Sequence, residues 1–184
     1  MAKMPHHFGA LSPEYVLLGF LYEGPNHGYT LHQQLVNELG HVWHVSQSQT
    51  YAILKRLEVQ EFISSVTVEQ EKLPPLHFLE LTGTGRRRFE DWLQTSSGSS
   101  LRAVRLDFIS RLYFAQRLFP EMIPAMFEAE SADINTALAQ MEKDRDAVPA
   151  EQTFNHLGLD LRIRQLHSAR DWLIECRKAF ETKF

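Results

Sequence analysis

Residues 45–63, VSQSQTYAILKRLEVQEFI, constrain the fold of this chain more than any other stretch. Ser46 and Gln49 are spaced as a capping box, in which each side chain satisfies the other residue's free backbone N–H at the start of a helix. About four turns of helix formers follow. They run directly into β-branched residues, the order expected of a helix that feeds a β-hairpin. With residues at steps of about 100°, Thr50, Ile53, Leu54 and Leu57 share a core face. The opposite side collects Ser48, Gln49, Ala52, Lys55, Arg56 and Val59, with Gln47 near the free N-terminus and Tyr51 on the border. Small residues, amide and hydroxyl groups and two cations are what base edges and phosphates can use in a major groove. Gln, Lys and Arg are also common on any solvated helix, so neighbouring segments have to decide between the two.

Upstream, Ser12 and Pro13 suit the N-cap and first position of a helix, and Glu14 complements its positive dipole end. Val16, Leu17, Phe20 and Leu21 supply its buried side, and Gly24-Pro25-Asn26 turns the chain. A second helix is predicted from His27 to Leu39 on Leu31, Leu35, Val36 and Leu39, with Gly40 as its C′ residue. Downstream, residues 63–69 and 76–81 read as two strands joined by a tip at 70–75, where Pro74-Pro75 cannot sit in a central strand. Thr82 caps a fourth helix anchored by Phe89, Trp92 and Leu93, with Arg86, Arg87 and Arg88 expected on a mostly solvated turn. The order helix, helix, turn, helix, hairpin predicts a winged helix-turn-helix.

Thr95-Ser96-Ser97-Gly98-Ser99-Ser100 has no apolar anchor and is predicted to be a flexible joint. It divides a winged domain, 1–95, from a helical domain, 96–184. The second half predicts helices over about 101–118, about twenty-five residues after Pro120, and about 157–180, each with an apolar stripe. Such thin stripes argue for packing against a second chain, a homodimer formed through the C-terminal helices, over an intramolecular three-helix bundle. The fold class expected is thus mainly α with a small β-hairpin.

Composition narrows the partners. Net charge is −4 with pI about 6.1, and residues 1–95 carry seven Lys and Arg against ten Asp and Glu, so indiscriminate nucleic-acid or anionic-membrane binding is disfavoured. A DNA-binding surface would have to be local. The lone cysteine, Cys176, fits a reducing cytosol, and neither a membrane-length apolar run nor a signal-peptide core is visible, so a cytoplasmic protein is expected.

Three spaced motifs carry a family resemblance: Gly24-Pro25-Asn26-His27-Gly28-Tyr29, Tyr51-Ala52-Ile53-Leu54-Lys55-Arg56-Leu57-Glu58, and Leu81-Thr82 followed by Gly85. Over about the first 95 residues the chain resembles the PadR family of bacterial transcriptional regulators. The long helical second half, with Trp43 before the third helix, resembles the subfamily that includes the AphA-type virulence activators. This resemblance implies a homodimeric, sequence-specific regulator on a pseudo-palindromic operator in double-stranded DNA, often with a small-molecule effector near the dimer interface. The DNA-contact candidates are Gln47, Ser48, Gln49, Tyr51, Lys55 and Arg56, with His44 beside the helix and Lys72 on the wing. The wing tip has Lys72 alone where relatives carry several cations, and Phe78-Leu79 stand where tyrosine is usual. Trp43, Trp92 and Trp172 are candidate ligand-binding residues, although tryptophan is more often simply core.

Two other classes compete. A winged helix that binds protein suits the acidic balance. A metal sensor is suggested by nine histidines, but His27 and His32 are five apart, about 140° on a helix, and His41 and His44 sit in a connector with no cysteine nearby. No metal site or cofactor is therefore expected. Without a nucleophile elbow or a phosphate-cradling glycine loop in the sequence, enzymatic activity is not expected either.

Overall fold

The computed structural model describes residues 11–68, 76–98 and 100–183. The expected wing tip with Lys72 lies outside the described residues. Two compact units, Met1–Thr95 and Ser96–Phe184, divide the chain.

In the first unit, α1 (Glu14–Glu23) is surrounded on every side: each residue from Glu14 to Leu21 is buried. The one-sided pattern expected for it was too narrow, since Tyr15 and Leu18 are buried along with Val16, Leu17, Phe20 and Leu21. Each such large apolar side chain contributes on the order of 1.5–3 kcal/mol on burial, which makes α1 the frame of the unit. Helix α2 (Gly28–Leu39) packs Leu31, Leu35 and Leu39 inward. Its fourth anchor is His32 and not Val36, which is 45% exposed. Gly40 does not adopt the left-handed conformation of a C′ glycine; its φ is −64°, and the turn closes through the Val42 and Trp43 N–H groups on the Leu39 carbonyl.

Helix α3 (Gln47–Val59) starts at the capping box: the Gln49 N–H donates to Ser46 Oγ at 3.3 Å, and the Ser46 N–H donates to Gln49 Oε1 at 2.9 Å. It ends with the Phe62 N–H on the Leu57 carbonyl and the Glu61 N–H on the Glu58 carbonyl, the Schellman pattern. Strands β1 (Ile63–Val68) and β2 (Leu76–Leu81) pair antiparallel with Ile63 opposite Leu81. Asn26 adds a short bridge to the outer side of β2 through reciprocal hydrogen bonds with Leu79, so the turn before α2 is tied to the wing. Thr82 caps α4 (Gly83–Gln94) by accepting from the Gly85 N–H at 3.0 Å, and its hydroxyl donates to the Glu61 carbonyl at 2.7 Å. Trp92 lies parallel to Tyr15 with ring centroids 5.0 Å apart.

The second unit is helical throughout. Residues 101–118 run as one helix, α5 (Leu101–Ala103) and α6 (Ile109–Leu118) joined by a π-turn at Val104–Phe108. A 3₁₀ turn, Pro120–Met122, leads to α7 (Ile123–Ala147), and α8 (Thr153–Lys183) closes the unit. Val104, Phe108, Leu112, Phe127, Ile134, Leu138, Ile163, Leu166 and Leu173 are among the residues of one shared core. Within it sits an ion pair: Arg111 Nη2 lies 3.3 Å from Glu130 Oε2, with side chains 4% and 1% exposed. Burial pushes the Glu130 carboxyl up to about 7, against the pull of Arg111, and the same burial lowers Arg111. The predicted flexible joint is anchored to this unit: Ser96 bonds Asp133, Ser97 accepts from Arg111, and Ser100 caps α5 through the Ala103 N–H. None of the described helices is long and apolar enough to cross a membrane.

Candidate nucleic-acid interface

The first unit presents α3 with its inner face consumed by packing. Thr50, Leu54 and Leu57 are buried, and the Thr50 hydroxyl lies 2.9 Å from His32 Nδ1 on α2. This buried contact pins the first turns of α3. His32 thereby acts as a packing histidine, and His27 is likewise engaged, with Nδ1 2.8 Å from the His77 carbonyl and its ring against Phe78 at 4.0 Å.

The outer face remains open. Gln47, Ser48, Gln49, Ala52, Lys55 and Val59 are exposed, and His44 is exposed just before the helix. Gln49 is only partly available, because its Oε1 serves the cap while its amide nitrogen does not. Tyr51, 46% exposed, leans on the start of α2: a Cβ at Gly28 would stand 2.9 Å from its Cε1, so the Gly28-Tyr29 motif makes room for the Tyr51 ring. The ring is packed on one side and accessible on the other, the border position expected from the sequence.

Arg56 departs from expectation. Its Nη2 donates to Glu14 Oε2 at 2.9 Å, and Arg88 Nη2 donates to Glu14 Oε1 at 2.6 Å. Arg88 also lies over the rings of Phe62 and Tyr15, at 4.5 and 5.2 Å, and Arg86 lies over Tyr22 at 4.2 Å. The Arg86–Arg88 run is therefore not a plain solvated turn; two of its three members are engaged with side chains of the unit. Glu14, expected only to complement the α1 dipole, thus sits at the flank of α3. Forty-two positions separate Glu14 from Arg56, so no local spacing could have signalled the pair.

The three tryptophans do different jobs. Trp43 and Trp92 are buried in the first unit at 8% and 4% exposure. Trp172, 37% exposed, belongs to the second, edge-on to Phe108 at 6.3 Å and lining a shallow cavity with Leu101, Val104 and Ile109.

An antiparallel wing behind a helix-turn-helix, with the second helix of the pair exposed along a polar face, defines the winged-helix class. Residues 17–91 match the model of the "Transcriptional regulator PadR-like family". The chain is 26% identical over 129 residues to the "Negative transcriptional regulator PadR" of Bacillus subtilis (strain 168), covering 70% of each chain. Among solved structures it is similar to Bacillus subtilis PadR in complex with operator DNA (24% identity, 91% of this chain and 98% of that one, TM-score 0.44). It is also similar to the Vibrio cholerae virulence activator AphA (17% identity, 94% and 100%, TM-score 0.42). The match to the PadR-like family of transcriptional regulators thus lies within the first unit, over residues 17–91.

Proposed function

We propose that the protein is a sequence-specific regulator that binds double-stranded DNA as a homodimer, with α3 in the major groove. The observation that carries this is the division of α3 into a fully packed inner face and an open polar outer face. Gln47, Ser48 and the Gln49 amide stand at the helix N-terminus, where free N–H groups and the dipole favour phosphate. Lys55 and the Tyr51 hydroxyl flank them along the face, and His44 stands beside the helix start. Lys72 would contribute from the wing. With net acidic charge overall, affinity rests on these few groups and falls steeply with salt.

Dimerisation is supported by the apolar face of α8. Phe154, Leu157 and Leu161 are 87%, 59% and 57% exposed at positions one to two turns apart, on a helix whose other side fills the core. A second copy of the chain would cover them and place two recognition helices on two half-sites. A small-molecule effector, which rests on the family resemblance, and a cytoplasmic location, which rests on the lone Cys176 and the sequence pattern, belong to the same proposal. Selecting bound sites from a random duplex library tests the whole: the expected product is a two-fold repeat with half-sites about one helical turn apart. A library with no enriched sequence, together with unchanged mobility shifts for K55A, would favour the protein-binding alternative.

A further inference from the structure

The DNA-binding proposal leaves one part of the recognition helix unassigned, the arginine next to Lys55. From the geometry we infer that Glu14 is a positioning residue for DNA recognition: with Arg56 and Arg88 it forms a strut that sets the rotation of α3 about its own axis, so that Arg56 does not contact phosphate.

Both oxygens of the Glu14 carboxylate are occupied, one by Arg56 at 2.9 Å and the other by Arg88 at 2.6 Å, and the side chain is 11% exposed. It stands on the first turn of α1, the helix buried all round. The strut therefore joins α3 and α4 to the helix most completely enclosed by the unit's core. The Arg56 side chain is itself 49% exposed, but drawing it away to a phosphate would leave the sheltered Glu14 carboxylate with Arg88 as its one remaining ion-pair partner, which costs stability. Arg88 is already engaged with the other carboxylate oxygen, and its guanidinium lies over the rings of Phe62 and Tyr15.

A second tether stands nearer the other end of α3, the buried contact from Thr50 to His32 on α2. The two tethers are six residues apart and tie the helix to different neighbours, α2 and α1. A helix held at one point can swivel; held at two, it presents a fixed set of side chains. Ser48, Ala52 and Lys55 share one stripe of the helix at steps of about 100° per residue, so a swivel turns all three away from the base edges they would face. Arg56 thus contributes to reading sequence without touching the DNA.

The inference rests on the DNA-binding proposal and separates from it in one experiment. Fluorescence anisotropy would follow wild type, K55A, R56A, R56K and E14Q on a library-selected duplex and on a scrambled one, across a salt series. K55A is expected to lower the slope of log affinity against log salt by about one, the signature of a lost phosphate contact. R56A and E14Q are expected to keep the wild-type slope while losing about tenfold or more in discrimination between the duplexes, a discrimination of the size that single base contacts supply. R56K, which can still reach Glu14 as a point charge, recovers part of that loss. A slope reduced by about one in R56A with discrimination intact overturns the inference and makes Arg56 a phosphate contact. Unchanged discrimination in R56A and E14Q overturns it as well. Wild type that binds neither duplex retires the DNA-binding proposal instead. The strut is then read by amide exchange alone: faster exchange over the last turn of α3 in R56A but not in K55A keeps it as a structural tether, and identical exchange removes it. If E14Q fails to fold, R56A and R56K decide.

Discussion

Glu61 shows how much a single position can concede to a turn. It holds φ at +59°, the left-handed conformation at C′ of the Schellman ending of α3, where a side chain costs about 1 kcal/mol that glycine does not. E61G is expected to raise stability by no more than about 0.5 kcal/mol in urea unfolding, the remaining gain after the greater chain entropy that glycine loses. Gly85 is the reverse case. A Cβ there would stand 1.9 Å from the Phe62 carbonyl oxygen, so α4 approaches the end of α3 only because this position has no side chain. G85A is expected to cost about 3 kcal/mol, measured by the same unfolding, and to disturb the Thr82 contacts that share the Phe62 carbonyl. Glycine and threonine in the Leu81-Thr82 motif were visible in the sequence. The carbonyl they accommodate, about twenty residues upstream, was not, because nothing in local spacing marks where a distant backbone will pass.

At the scale of elements, the helices with a single apolar stripe were readable, and those buried all round were not. α3 largely matched its pattern, with Thr50, Leu54 and Leu57 inside and Ile53 half-buried. α1 and the 101–118 helix carry apolar residues on several faces, which periodicity alone cannot separate from an ordinary amphipathic helix. Inside the second unit, the Arg111–Glu130 pair between α6 and α7 gave no advance sign, since its members stand nineteen positions apart on different helices. Its pH consequence follows from the raised carboxyl. A folded-state pKa of about 7 against an ordinary 4.5 means that the folded form binds the proton more tightly than the unfolded chain. The associated stability is fully present below the unfolded value and is lost as pH rises through about 7. Urea unfolding between pH 4.5 and 8 should therefore show wild type losing on the order of 2–3 kcal/mol relative to E130Q, which cannot ionise, as pH rises. Parallel curves for the two proteins would contradict this assignment.

At the scale of the whole molecule, the open question raised by the chain is what covers α8. An exposed apolar run of Phe154, Leu157 and Leu161 is costly for an isolated chain, and in the proposed homodimer a second copy would supply the matching surface. Light scattering at micromolar concentration is expected to give twice the 21.3 kDa chain mass for wild type. L157E and L161E together should return the chain mass while leaving helicity intact, and should weaken binding to a two-half-site duplex far more than to a single half-site. A wild-type mass of one chain would remove the dimer from the proposal.

Local chemistry in the sequence was enough to determine the order of elements, the cap that starts α3, the wing that follows it and the composition of its outer face. Short-range geometry does that work: a capping box spans three residues, a helical stripe repeats every three or four, and a strand alternates every two. Tertiary structure alone decided which of the face's cations is free. Lys55 and Arg56 are neighbours of like charge in sequence, and only the arrival of Glu14 from α1 and of Arg88 from α4 separates them, turning one into a strut and leaving the other to solvent. A charge is paired by whatever the fold brings within a few ångströms of it, and that neighbour can come from anywhere in the chain.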